Sequence, residues 1–212
     1  MIAYIVAMEK EAACLLKHLE SPRERIIAGR RTVLGRYRGE DALVVIAGIG
    51  KVNAAAGAAL ALAVSPRELR NFGVAGGFDP AMEVGGIYCV TRAVEYDFDL
   101  AELNGTAVGV HDERTTPYFE CAPWDGYPEA VLGTGDRFSD AEDDLELLRA
   151  LGITLRDMEG AAVAHVAETA GIPFRSLKCV SDVHGAGSMT GQYRDNLAFA
   201  LERLSAALSP LY

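Results

Sequence analysis

No C-x-x-C pair, no closely spaced histidines and no apolar run of about twenty residues occur in this chain. The four cysteines, Cys14, Cys89, Cys121 and Cys179, are far apart. Cys14, Cys89 and Cys179 lie in apolar runs and read as reduced, buried thiols, which excludes a disulfide framework and a redox motif. Without an H-x-x-x-H or similar spacing, no metal and no other cofactor is expected. The chain also lacks a basic excess. Its net charge of -10 would repel nucleic-acid phosphates, so nucleic acid is excluded as a partner. The short apolar start Met1–Ala7 has no basic lead-in and meets Glu9 and Glu11 at once. It reads as a strand, and a cytoplasmic protein without membrane association is expected. There is no nucleophile elbow and no Ser–His–Asp order.

A phosphate loop is missing too. Gly48-Ile49-Gly50-Lys51 has Val45 at the first glycine position of G-x-x-x-x-G-K-[ST] and Val52 at the Ser/Thr position. As G-x-G-x-x-G it fails at Asn53. The plainer reading is a tight turn opening a buried helix.

What is present is glycine and apolar residues: 22 of 212 residues are Gly and 50% are hydrophobic. Strand-like runs at 4–8, 69–74, 86–93, 130–135 and 174–180 alternate with helical patterns at 10–20, 51–64, 140–151, 161–170 and 196–208. Two paired strands, 31–38 and 41–47, are joined by the turn Arg38–Asp41. This predicts one α/β domain over residues 1–212, with a mixed, mostly parallel central sheet flanked by helices. The helix at 51–64 is apolar almost all round, so burial on most sides, or in a subunit interface, is expected. Residues 101–128 lack periodicity and read as a long loop, functional or mobile.

Ligands of such folds bind beyond the carboxyl ends of strands. Seven polar or Gly-rich clusters stand at these ends: 8–11, 48–51, 74–77, 97–99, 135–138, 157–159 and 181–182. Converging, they make a pocket rich in carboxylates, suited to a neutral, hydroxyl-bearing ligand and unsuited to a polyphosphate. Buried carboxylates are costly unless hydrogen-bonded or employed. Each acid also has a plainer reading alone. Glu11 could be a solvated helix acid, Asp182 a cap, and Asp157 and Glu159 partners of a helix N-terminus. His165 reads as a satisfied core residue and His184 as a loop residue.

Seven stretches carry a resemblance along nearly the whole chain: Ala7–Glu11, Ala47–Val52, Gly73–Gly77, Tyr96–Asp99, Gly135–Phe138, Met158-Glu159 and Val180–Asp182. The chain resembles the purine nucleoside phosphorylase/uridine phosphorylase superfamily, most of all its 5′-methylthioadenosine/S-adenosylhomocysteine nucleosidase family. Residues 101–130 match poorly. The resemblance implies hydrolysis of the bond between ribose and adenine in a small nucleoside, and a homodimer. It makes Glu11 the base for the attacking water and Asp182, held by Ser181, the acid for the leaving base. Glu159 would grip ribose hydroxyls over Met158. Phe138 and the backbone at Ser139 would meet the base, and Leu100 and Leu103 would cover a neighbour's 5′ substituent. Met8, Ile49, Val74, Gly76 and Lys178 complete the implied lining.

The resemblance also marks departures. Val74 stands for a serine that helps hold the water, Lys178 for an arginine and Asp157 for a glutamate. Asn71-Phe72 occupy the place of a phosphate-binding arginine, which favours water over phosphate. Futalosine hydrolase, AMP nucleosidase, another purine nucleosidase, a phosphorylase or a non-catalytic nucleoside-binding relative are the alternatives.

Overall fold

The computed structural model describes residues 1–111, 114–138 and 144–209. In chain order the elements are β1 (Ile2–Val6), α1 (Glu9–Leu16), β2 (Glu20–Ile27), β3 (Arg30–Tyr37), β4 (Glu40–Ile46), α2 (Lys51–Leu62), β5 (Glu68–Gly77) and β6 (Ile87–Glu95). There follow α3 (Ala101–Asn104), β7 (Phe119–Glu120), β8 (Glu129–Thr134), α4 (Leu145–Ala150), β9 (Leu155–Asp157), α5 (Gly160–Thr169), β10 (Phe174–Val183) and α6 (Met189–Ala207).

β1 shows why the sheet has helices on both faces. Every residue of it is buried. Side chains alternate across a strand, so Ala3 and Ile5 join the core cluster that holds the α2 and α5 alanines. Ile2, Tyr4 and Val6 join the cluster of α1 and α6, with Ala12, Leu15 and Leu204. A strand covered on both sides reads as a continuous apolar run rather than an alternation.

Among the described residues the strands form one ten-stranded mixed sheet in the order β10-β6-β8-β9-β5-β1-β4-β3-β2, with β7 on β6. β10 also pairs with β5, which closes β5, β9, β8, β6 and β10 into a ring. β1, β4, β5 and β10 run parallel. One edge of β5 changes partner along its length. β1 holds residues 68–71, and β9 holds Gly76 and Gly77. The interval between them lies at the carboxyl end of β1, where the site forms.

Several boundaries differ from the sequence expectation. α1 ends at Leu16 rather than residue 20. β2 follows directly and was not predicted. All of its residues are exposed, so it carries no buried face to read. α6 begins at Met189 rather than 196, capped by Ser188 Oγ accepting from Gly191 N. A short helix, α3, lies inside the stretch read as loop. Contrary to burial on most sides, α2 leaves a face open in the single chain, with Val52 79% exposed. The helix expected at 140–151 is described only from 144 onward and is helical over Leu145–Ala150.

Candidate active site

Glu11 sits in the first turn of α1 yet is 4% exposed. Its Oε2 accepts the backbone N–H of Met8 at 3.1 Å, and its Oε1 accepts that of Val74 at 2.9 Å. The second bond falls in the interval where β5 passes from β1 to β9. The carboxylate thus takes the place of a strand partner. Gly73 makes this approach possible, because a Cβ there would stand 2.4 Å from Glu11 Oε1. Burial pushes the Glu11 carboxyl up from its ordinary value, while Lys178 and the two backbone bonds pull against it.

β10 carries Ser181 and Asp182 beside the end of β5. The register between the two strands shifts between Val180 and Asp182, and Asp182 pairs with Gly76. Such an irregularity re-aims side chains at a strand end. Ser181 Oγ donates to Asp182 Oδ2 at 2.7 Å, and both residues are 1% exposed.

β9 ends on Asp157, and Glu159 precedes α5. Glu159 Oε1 accepts the N–H of Gly50 at 2.9 Å. Gly50 has φ 99°, a left-handed region that favours glycine. The neighbouring N–H of Lys51 is held by Asp136 Oδ1 at 2.7 Å, and Lys51 Nζ by Asp97 at 2.5 Å. Side-chain acids therefore occupy the start of α2, where a phosphate loop would hold phosphate.

Asp157 looked from sequence like a variant position at a helix start. In the structure it is the hub beneath the site. Its Oδ1 accepts Thr134 Oγ1 at 2.5 Å, and its Oδ2 accepts Gly160 N at 2.9 Å and Lys178 Nζ at 2.8 Å. Lys178 is 1% exposed. Burial alone would lower the ammonium's pKa, but the charges of Asp157, Glu159 and Glu11 outweigh burial and raise it.

These groups surround one cavity of about 350 Å³, within the range of small-ligand sites. Met8, Glu11, Ile49, Val74, Gly76, Phe138, Met158, Glu159, Ser181 and Asp182 all line it. Phe138 stands at the mouth, edge-on to Tyr193 at 5.5 Å. Lys178 does not line the cavity but pairs with Asp157, which does. Leu100 and Leu103 do not line it either, and Leu103 is 80% exposed. Ser139 lies outside the described residues. Sequence reading missed Arg156, Thr190, Tyr193 and Arg194 in the lining. The last three sit on the early turns of α6, and the available signal was Ser188 as an N-cap. Burial raises the Tyr193 phenol, with added pushes from Glu11, Asp182 and Glu159. Glu11, Asp157, Glu159 and Asp182, four carboxylates, thus line one volume.

Burial, and next the Asp157 charge, raise the Glu159 pKa from 4.5 to about 7. The folded pKa is above the unfolded one, so this acid destabilises the fold when ionised. The cost is absent below the unfolded value, grows between the two values, and is complete above about pH 7. Glu159→Gln keeps an acceptor for Gly50. It should melt higher than wild type near pH 8, with the difference closing toward pH 4.5. Equal melting at pH 8 would contradict the assignment.

The family model described as phosphorylase superfamily matches residues 1–125 and 127–211. A 5′-methylthioadenosine/S-adenosylhomocysteine nucleosidase of Marinomonas sp. (strain MWYL1) is 31% identical over 226 residues, covering 100% of this chain and 97% of that protein. The structure of the S. pneumoniae nucleosidase of the same name, with the transition-state inhibitor MT-ImmA, matches with TM-score 0.86 at 26% identity, covering 98% of this chain and 95% of that one. Futalosine hydrolase of Helicobacter pylori strain 26695 shares the fold, with TM-score 0.88 at 20% identity over 98% of this chain and 94% of its own.

Proposed function

The chain belongs to the phosphorylase superfamily and, within it, to the 5′-methylthioadenosine/S-adenosylhomocysteine nucleosidase family, and from that premise we propose that it hydrolyses the N-glycosidic bond of 5′-thio-substituted adenosines such as methylthioadenosine and S-adenosylhomocysteine, releasing adenine. The observation that carries this reading is the convergence of Glu11, Glu159 and Asp182 on one cavity. Water attacks C1′ and gives its proton to Glu11. The C1′–N9 bond breaks, its electron pair leaves with the base, and Asp182 protonates N7. Glycoside cleavage passes through an oxocarbenium-like state, which nearby carboxylates stabilise. Glu159 accepts the ribose hydroxyls with Met158 against the sugar, and Phe138 meets the base.

Water is favoured over phosphate as nucleophile. Glu11 would repel an anion. Asn71, in place of an arginine, is 2% exposed. Its Nδ2 donates to Ile5 O at 2.9 Å, tying β5 to β1. Phe72 is fully buried among apolar residues.

The proposed unit is one domain over 1–212 acting as a cytoplasmic homodimer. The exposed Val52 and Leu103 favour a second copy, whose Leu100 and Leu103 would cover the 5′ substituent. All four cysteines are free thiols, which suits a reducing compartment. Among the described residues, no helix is long and apolar enough to cross a membrane.

A product assay over methylthioadenosine, S-adenosylhomocysteine, futalosine and AMP tests the substrate. Adenine from the two thio-nucleosides is expected, and release of base from futalosine or AMP alone would replace the assignment. Gly73→Ala should lower kcat/KM on the order of 100-fold, because its methyl must displace Glu11. Unchanged kinetics would show that the Glu11 position is not critical.

A further inference from the structure

Away from the cavity, three side chains from separate segments meet at the end of β6. They are Glu95, the last residue of that strand, His111 from the long connection and His165 from the middle of α5. Glu95 Oε1 lies 3.2 Å from His165 Nδ1 and 3.8 Å from His111 Nε2. One donor atom from each residue falls within 4.8 Å of the other two. Tetrahedral zinc with ordinary Zn–N and Zn–O bonds sets its ligand atoms about 3.4 Å apart, which lies between those two distances. We propose that Glu95, His111 and His165 form a binding site for a divalent transition-metal ion, with zinc the best match.

Three further observations support the assignment. The imidazoles are held by stacking, His111 on Phe98 with centroids 3.9 Å apart and His165 on Phe119 at 4.7 Å, so their orientation is set before a metal arrives. The donor set is two nitrogens and one carboxylate oxygen, which selects zinc, nickel or copper over calcium and magnesium. The other carboxylate oxygen, Oε2, lies 3.3 Å from Lys51 Nζ, and Asp97 also binds that ammonium at 2.5 Å. Asp97 compensates the lysine charge, which leaves Oε1 of Glu95 to face the imidazoles. Glu95 and His165 line a groove of about 880 Å³ between α2 and α5. Bound there, the metal would tie the connection after β6 to α5, the helix that begins next to Glu159. Sequence spacing could not show this site, because each ligand comes from a different segment.

The test uses tag-free full-length protein with Zn²⁺ or Co²⁺ as the only added metal. About one zinc per chain should remain after gel filtration, and zinc should raise the melting temperature. The cobalt form should show visible d–d bands without a thiolate charge-transfer band. His165→Gln and His111→Gln should each weaken zinc binding by more than about 100-fold, the upper end of what losing a partner of a ligand costs. Two results would overturn the site: zinc retention equal in wild type and both variants, or a thiolate band that moves the metal to a cysteine. Failure of zinc to bind at all would overturn the site as well and leave the cluster a hydrogen-bonded network.

Discussion

Glu11→Gln is expected to lower kcat for adenine release by about 10²- to 10⁴-fold, the usual contribution of a positioned general base, with little change in KM. The amide keeps the size of the side chain but cannot take a proton from water. The two carboxylate oxygens accept from Met8 N and Val74 N. A glutamine has one carbonyl oxygen, so one of these N–H groups loses its acceptor, a cost of about 1–3 kcal/mol. The removed charge offsets part of that cost, since burial raises the Glu11 pKa. A thermal melt separates the two effects. A folded variant with normal KM and collapsed kcat fits the assignment. A folded variant with near-normal kcat would remove Glu11 from the chemistry.

Lys178→Met should destabilise the protein by about 3–5 kcal/mol, because removing one partner of a buried pair leaves the other charge uncompensated. In a chain this size that is on the order of 10 °C in Tm. Lys178 Nζ is 2.8 Å from Asp157 Oδ2, and its charge lowers the pKa of both Glu11 and Glu159. Its loss should raise both. In the proposed mechanism Glu159 grips ribose hydroxyls as a carboxylate, so the acidic limb of kcat/KM should move to higher pH in Lys178→Met. A purely structural lysine would lower Tm and leave that limb in place. Thermal melts and a pH series on the folded fraction distinguish the two.

The acids at strand ends were legible in the sequence because chain chemistry marks them locally. Glu11, Glu159 and Asp182 stand where an apolar run gives way to polar or Gly-rich residues, and parallel topology brings such ends together. The ring closure was not legible. β5 meets β10 along one edge and β1, then β9 at its tip, along the other, and no local signal specifies a strand with two partners on one edge. That closure sets Lys178 beneath Asp157, so the pair was read as two isolated departures. β2 escaped because all its residues are exposed, and a strand without a buried face has no period to detect. The start of α6 escaped because Thr190, Gly191 and Gln192 interrupt the apolar pattern, although Ser188 marked the cap. His165 was read as a core residue from its apolar neighbours. Its partners, Glu95 and His111, come from segments that meet it only in the folded chain.

The most direct test is adenine release from methylthioadenosine in phosphate-free buffer, repeated with phosphate added. Hydrolysis by a Glu11-activated water predicts adenine and free 5-methylthioribose at the same rate in both buffers. No release without phosphate, or recovery of the sugar 1-phosphate, would contradict it.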